Sequence, residues 1–127
     1  MAMIDAASKE VIDKSEWVAI ATNGREGPHL VATWGDYVKA LGMADETILV
    51  PVGGMHRTED NIKADDRIEL LFASRQVQGS RGPGQGCCVA GTGVFQSAGA
   101  AMERVKARFP WARAALVITV KEVNTQL

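Results

Sequence analysis

The sequence lacks the features that mark several large classes of protein. Fourteen basic and 15 acidic residues give a formal net charge of −1, so no excess of positive charge is available to bind a nucleic-acid backbone. No apolar run approaches the ~18 residues that a membrane span requires. The first ten residues lack a basic stretch followed by an apolar one, so we expect no secretion signal. These absences disfavour nucleic-acid binding, membrane insertion and secretion.

Cysteine and histidine are also scarce. The chain contains Cys87, Cys88, His29 and His56 and no others of these types. Neighbouring residues on a strand point to opposite faces, which makes a disulfide between the two thiols a poor fit, and we expect a reducing, cytoplasmic location. None of the four residues has the paired spacing of a zinc site, so we expect no metal. A cysteine–histidine nucleophile has no support beyond the presence of both residue types.

The 127 residues are 46% hydrophobic and 23% charged, which is typical of one globular domain, here assigned to residues 1–127. Apolar spacing predicts helices over residues 3–14, 58–64 and 100–109. It predicts strands over residues 17–22, 29–41, 47–52, 67–74, 87–96 and 114–120. Trp17, at the start of the first strand, is expected in the core.

The connections indicate how these strands pair. Asn23-Gly24 is a strong hairpin signal, and strands joined by a hairpin run antiparallel, which excludes a doubly wound parallel sheet. Six strands on so short a chain favour a small barrel with helices at its rim. The predicted fold is therefore mainly β, a six-stranded antiparallel split β-barrel with short flanking helices.

The most informative stretch is residues 50–62, where an apolar strand stops at Gly53-Gly54 and a helical pattern follows. Glycines let the backbone approach a ligand closely, and the free N–H groups of a helix N-terminus attract anions. Arg57 offers a planar fork of donors suited to phosphate, and Thr58 offers a hydroxyl. These residues predict a site for a phosphate ester. The alternative is a plain strand-to-helix connection that Thr58 caps.

The segment from Arg57 to Ile68 resembles the hallmark of the pyridoxamine-phosphate-oxidase-like split barrels that bind FMN. That hallmark is a basic residue, a Thr or Ser, an Asn-aliphatic pair (here Asn61-Ile62) and an Asp-x-Arg-aliphatic step. Within this family the chain is most similar to the branch of small FMN-binding proteins of sulfate-reducing bacteria. Four blocks carry that similarity: residues 18–22, 27–34, 50–56 and 111–120.

The resemblance implies a homodimer with one FMN per subunit, bound near the subunit interface. By position, Arg57 and Thr58 would hold the 5′-phosphate. The relatives carry Lys where this chain has Arg57, and Arg retains the charge while adding bidentate donors. The resemblance also assigns backbone that lines the isoalloxazine ring to Pro51, Val52, Gly53 and Gly54.

Further cofactor-binding residues follow from the same resemblance. Thr33, Trp34 and Tyr37 lie on the strand that resembles the flavin-facing one. Ala32 stands where an Asn is expected, which removes one hydrogen bond to the ring or ribityl chain. Trp111 and the terminal residue Leu127 match positions that cover the flavin of the partner subunit. The alternatives are core packing for Trp111 and a frayed tail for Leu127.

The glycine-rich stretch over residues 76–86 is predicted to be a loop. Its two alternatives are a mobile loop flanking the cofactor and, through glycines such as Gly82, a contact to the phosphate or ribityl chain. Ser74 and Arg75, just before it, can reach the same anion or form a solvated strand end.

The implied cofactor suggests the function. Flavin supplies redox chemistry, while the protein sets its binding and electrostatics. No cation is evidently aimed at the N1 edge of the ring, which disfavours the anionic reduced form and predicts a low reduction potential. We expect an electron-transfer protein, with a small redox protein as a possible partner and no identifiable catalytic residue. The alternatives are a flavin reductase or small FMN-dependent oxidoreductase, and a non-redox module that stores FMN.

Overall fold

A computed structural model describes residues 4–44 and 46–127, and these contain four helices and seven strands. The helices are α1 (Ala6–Lys14), α2 (Gly35–Leu41), α3 (His56–Ala64) and α4 (Ala100–Arg108). The strands are β1 (Trp17–Gly24), β2 (Gly27–Trp34), β3 (Met43–Ala44), β4 (Thr47–Val52), β5 (Arg67–Gly79), β6 (Gly82–Gln96) and β7 (Ala114–Thr125). The longest of these helices have nine residues, too few to cross a bilayer.

The strands form one open antiparallel sheet in the order β2-β1-β5-β6-β7-β4-β3. The sheet curls around a core that includes Ile20, Val50, Phe72 and Leu116, all buried. This confirms the mainly β, antiparallel split barrel that the sequence predicts. The described part of the chain contains seven strands where six were expected, because the two-residue strand β3 pairs with β4.

The predicted strand over residues 29–41 is wrong in its second half. Strand β2 ends at Trp34, and Gly35 begins helix α2. At this point the chain passes so close to the end of α1 that a Cβ on Gly35 would lie 1.9 Å from the carbonyl oxygen of Ser15. The helix then buries Val38 and Leu41 at a spacing of three residues, a helical period that the strand assignment overlooked. Tyr37 accordingly lies on α2 and not on a strand.

The predicted loop over residues 76–86 is also wrong, because β5 and β6 extend through it to a two-residue turn at Ser80 and Arg81. Glycine in this hairpin allows two backbone segments to pack closely against each other. A Cβ on Gly79 would lie 2.2 Å from the carbonyl oxygen of Gly84, which leaves room for hydrogen only. Strand β7 likewise continues to Thr125. The glycine-rich stretch is therefore a strand hairpin and not a loop.

The first helix begins at Ala6, and the Asp5 side chain caps it by accepting a hydrogen bond from the N–H of Ser8. That bond lowers the pKa of Asp5. The predicted start of this helix at Met3 lies outside the described residues. The helix buries Val11 and Ile12 against the sheet.

The expectation that Trp17 lies in the core is wrong. Its side chain is 52% exposed, and it opposes the equally exposed Trp34 across the β1–β2 pair. Successive residues of β1 alternate between the two faces of the sheet. Val18 and Ile20 face the core, so Trp17 faces outward.

Candidate functional site

The connection between β4 and α3 is the predicted anion site, and we call it the β4–α3 junction (residues 53–58). Gly53 and Gly54 are exposed after the buried end of β4. Met55 adopts a left-handed conformation, φ 58° and ψ 33°, which costs a non-glycine residue about 1–2 kcal/mol. No side chain caps this helix, so the N–H groups of its first turn remain available to donate hydrogen bonds to an anion.

Arg57 and Thr58 occupy the first turn of α3, but their side chains lie in different surroundings. Arg57 is exposed and lines a cavity of about 480 Å³ with Arg25 of the β1–β2 turn and His29 of β2. Thr58 is fully buried, and among the described residues its hydroxyl has no hydrogen-bond partner. A buried hydroxyl without a partner costs free energy, which a ligand oxygen within reach of it would recover.

Arg113, immediately before β7, holds this junction from the side. Its Nε donates to the carbonyl oxygens of Gly53 at 3.0 Å and Gly54 at 3.1 Å. Its backbone N–H donates to the oxygen of Val52 at 2.8 Å. Its Nη1 forms an ion pair at 2.9 Å with Glu59 in the first turn of α3. Sequence reasoning did not identify this residue, although an arginine within a matching block was a usable signal.

Three aromatic rings lie beside the junction. Tyr37 contacts Phe109 and Trp111, with ring centroids 4.8 Å and 5.7 Å apart. A Cβ placed on Gly53 would lie 3.4 Å from the nearest carbon of the Trp111 indole. Trp111 is 52% exposed, which excludes the alternative that it packs in the core. The structure thus brings Tyr37, Trp111 and Gly53 together within one chain, whereas the resemblance assigns Trp111 to the flavin of the partner subunit.

Other predicted residues differ in how accessible they are. Thr33 is buried on β2, while Trp34, the last residue of that strand, is exposed. Pro51 and Val52 are both buried in β4. Chain exposure therefore begins at the two glycines, directly after the buried strand β4.

A second group of predicted residues lies at the β5–β6 hairpin, away from the junction. Gly82 and Leu127 line a cavity of about 580 Å³ there. The side chain of Gln85 accepts from the N–H of Leu127 at 2.6 Å and donates to the oxygen of the same residue at 2.5 Å. These two bonds hold the terminal residue against the hairpin, although its side chain is 65% exposed. Ser74 pairs with Gln85 across the hairpin, and its hydroxyl accepts a hydrogen bond from the N–H of Gln76.

The outer face of β1, β2 and β5 carries a set of exposed apolar side chains, which we call the apolar sheet face: Trp17, Leu30, Trp34 and Leu71. Small residues, including Ala19 and Ala21, leave a shallow apolar cavity of about 620 Å³ between Trp17, Leu30 and Leu71. A surface of this kind is unusual on a monomer and typical of an interface.

Both cysteines are free. Burial raises the pKa of the Cys87 thiol and is also the main cause of the raised pKa of Cys88. The Cys88 thiol in addition donates to a carboxylate oxygen of Glu69 at 3.6 Å, which raises its pKa further. Protonated thiols are weak nucleophiles, so neither residue is suited to covalent catalysis. Within residues 4–44 and 46–127, no three His, Cys, Asp or Glu side chains converge as metal ligands.

Comparison with known proteins identifies the family. The family model described as pyridoxamine 5′-phosphate oxidase matches residues 4–127. An FMN-binding protein of Nitratidesulfovibrio vulgaris (strain Miyazaki F) is 48% identical over 125 residues, which cover 98% of this chain and 100% of that protein.

Solved structures agree on the fold. A variant of HupZ from Group A Streptococcus has a TM-score of 0.80 at 22% identity, over 98% of this chain and 100% of that chain. An FMN-binding protein from Syntrophomonas wolfei has a TM-score of 0.69 at 15% identity, over 95% and 84% of the two chains. The family match over nearly the whole chain confirms the resemblance carried by the segment from Arg57 to Ile68. The chain therefore belongs to the pyridoxamine 5′-phosphate oxidase family.

Proposed function

We propose that this protein is an FMN-binding flavoprotein that holds one FMN per subunit of a homodimer and transfers electrons at a low potential. The observation that carries the proposal is the β4–α3 junction itself. It combines exposed glycine backbone, an uncapped helix N-terminus and a covering indole. It does so in a chain 48% identical to an FMN-binding protein over nearly its whole length.

The residues at the junction fit a flavin mononucleotide. A phosphate needs donors and positive charge, which the first turn of α3 and Arg57 supply. A flat ring needs an apolar wall and close backbone, which Trp111 and the exposed glycines supply. The unpartnered hydroxyl of Thr58 is the kind of group that a bound oxygen would satisfy. Thr33, Trp34, Ser74, Gly82 and Leu127 remain proposed contacts.

When bound, FMN supplies the capacity to accept and release electrons, and the protein tunes its potential. A positive charge beside the ring would favour the reduced, anionic form and raise that potential. Arg113, the cation bonded to the glycine carbonyls, is already paired with Glu59. Because that pair is close to neutral, it gives little such stabilisation, which favours a low potential and electron transfer to a small redox protein.

The proposed homodimer has a structural basis in the apolar sheet face. Leu30 is 68% exposed and Leu71 40%, and a second copy of the chain would cover both. The few cysteines, both free, favour a reducing, cytoplasmic setting for this dimer.

A visible absorption spectrum tests the proposal. Purified protein is recorded before and after addition of FMN and removal of the excess, and the twin bands of an oxidised flavin are expected in the protein fraction. A protein that stays colourless after this treatment contradicts FMN binding. With the flavin bound, a redox titration that gives a potential well above that of free FMN contradicts the electron-transfer role, as does rapid turnover with a reduced nicotinamide.

A further inference from the structure

The side chain of Arg113 makes more contacts with the β4–α3 junction than a simple ion pair would require. Its Nε contacts two successive carbonyl oxygens, those of Gly53 and Gly54, and its Nη2 also donates to the second. Its Nη1 is engaged by Glu59. All three guanidinium nitrogens are therefore used, in the planar, forked arrangement that lysine cannot reproduce.

These bonds determine the direction of two peptide groups. In a trans peptide the N–H points away from the C=O of the same unit, and the peptide bonds here are trans. Since the oxygens of Gly53 and Gly54 point toward Arg113, the N–H groups of Gly54 and Met55 point away from it. Arg113, about 60 positions further along the chain, therefore sets the direction of these two N–H groups.

From this geometry we infer that Arg113 is a positioning residue of the FMN site, an inference that rests on the proposed function. It holds the glycine carbonyls away from the ring, and the N–H groups of Gly54 and Met55 then face the ring as donors. The isoalloxazine carries carbonyl oxygens and ring nitrogens that accept such bonds, whereas carbonyls turned toward these atoms would repel them. Glu59, 2.9 Å from Nη1, neutralises the charge of the guanidinium.

Affinity measurements on apo protein test this role. Arg113→Lys retains the charge but cannot bridge both carbonyls and Glu59, and we expect its dissociation constant for FMN to rise about tenfold. Arg113→Gln should weaken binding at least as much. Arg108→Lys and Arg108→Gln change an exposed arginine of α4 and serve as matched controls, with affinities within about twofold of the parent.

The outcomes separate this inference from the proposed function. A parent protein that binds no FMN overturns both, whereas a parent that binds FMN with Arg113 variants of equal affinity overturns the positioning role alone. Melting temperatures of the apo forms provide a second readout, because a purely structural arginine would lower them without changing affinity.

The variant Glu59→Gln distinguishes the ion pair of Arg113 from its hydrogen bonds to the glycine carbonyls. This change removes the ion pair and leaves the carbonyl bonds, so affinity should change less than about threefold. The reduction potential should rise, because the charge of Arg113 is no longer neutralised. A loss of affinity equal to that of Arg113→Lys would mean that the ion pair, and not the carbonyl bonds, orients the turn, which overturns the inference.

The parent protein alone supplies a final test, which stands even if the Arg113 variants fail to fold. On addition of FMN, the amide resonances of Gly54 and Met55 should shift strongly in a two-dimensional NMR spectrum. That of Gly99, before α4, should shift little. Unshifted amides at Gly54 and Met55, in protein that has bound FMN, would overturn the inference.

Discussion

The β4–α3 junction and the apolar sheet face are suited to opposite kinds of partner. The junction presents backbone donors, an arginine and one indole, a combination suited to a small charged ligand. The apolar sheet face presents exposed Trp17, Leu30 and Leu71 over small residues, a combination suited to another protein surface. We expect ligand binding and self-association to depend mostly on separate residues, with Trp34, a proposed FMN contact on the apolar sheet face, common to both.

The largest expected effect is on self-association. Leu71→Glu places a charge on the apolar sheet face of both subunits, and burying unpaired carboxylates should weaken the dimer roughly a thousandfold. Sedimentation equilibrium measures the change. Val94→Glu introduces the same charge at another exposed apolar residue and should leave the dimer intact. A dimer that tolerates Leu71→Glu would exclude the apolar sheet face as the interface.

The next effect concerns the phosphate end of the junction. Arg57→Ala removes a guanidinium whose charge-assisted bonds to phosphate are strong, and we expect the dissociation constant for FMN to rise about a hundredfold. Fluorescence titration measures the affinity, with Arg108→Ala as the control. Riboflavin, which has no phosphate, should bind parent and Arg57→Ala alike. A variant that lost affinity for riboflavin to the same extent would contradict the phosphate role.

A pair of tryptophan variants contrasts the two regions directly. Trp17 and Trp111 are each 52% exposed, one on the apolar sheet face and the other beside Gly53. At protein concentrations that keep both variants dimeric, Trp111→Ala should weaken FMN binding about tenfold through lost ring contact. Trp17→Ala should leave FMN affinity unchanged and weaken the dimer. Equal effects of the two changes on FMN affinity would show that the regions are not separate.

The smallest effect concerns Asp65, which lies outside both regions and joins α3 to β1 and β5. It ends α3, accepts hydrogen bonds from Arg67 at the start of β5, and accepts another from Asn23 at the end of β1. The side-chain bond from Arg67 is the main cause of the strong lowering of the Asp65 pKa from its ordinary value of 3.8. A lowered pKa means that this carboxylate stabilises the fold above pH 3.8, and that the contribution is lost as pH falls further toward the folded-state value.

Asp65→Asn should therefore lower the melting temperature slightly at pH 7, and the difference from the parent should shrink as the pH falls below about 4. Thermal unfolding at a series of pH values measures it. The change should be modest because the Asp65 side chain is only partly buried and its partner Arg67 is largely exposed, so water screens the interaction. A difference that grew toward acid pH would contradict the assigned sign.

The sequence predicted those parts of the fold that depend on neighbouring residues. The bounds of β4 match the apolar run over residues 47–52. The β1–β2 hairpin that Asn23-Gly24 indicated is present, but those two residues belong to β1 and the turn lies at Arg25 and Glu26. The start of α4 was read from local spacing in the same way. Local composition gave wrong predictions at two glycines that leave no space for a side chain. At Gly35 and Gly79 a Cβ would collide with a backbone carbonyl oxygen that folding brings close, and the sequence around each glycine does not reveal this crowding.

The residues of the candidate site also fall into two groups, those that a contiguous motif identifies and those that only folding brings to the site. The order of strand, glycine pair and helix N-terminus is contiguous, so Gly53, Gly54, Arg57 and Thr58 were accessible to motif reasoning. Arg113 lies about 60 positions further on, and its role depends on the pairing of β4 with β7. The prediction that Trp17 lies in the core failed because a strand pattern shows alternation without showing which face is covered.

By itself, the sequence determined the family, the antiparallel β class and the phosphate-type junction, because each is encoded in contiguous residues and their spacing. The tertiary structure alone decided that Arg113 turns the glycine carbonyls, that Trp111 covers Gly53, and that Trp17, Leu30 and Leu71 form one outward face. Each of these depends on strands distant in sequence becoming neighbours in the sheet. The physical reason is that hydrogen-bond direction and exposure are properties of the packed chain, which local propensity does not specify.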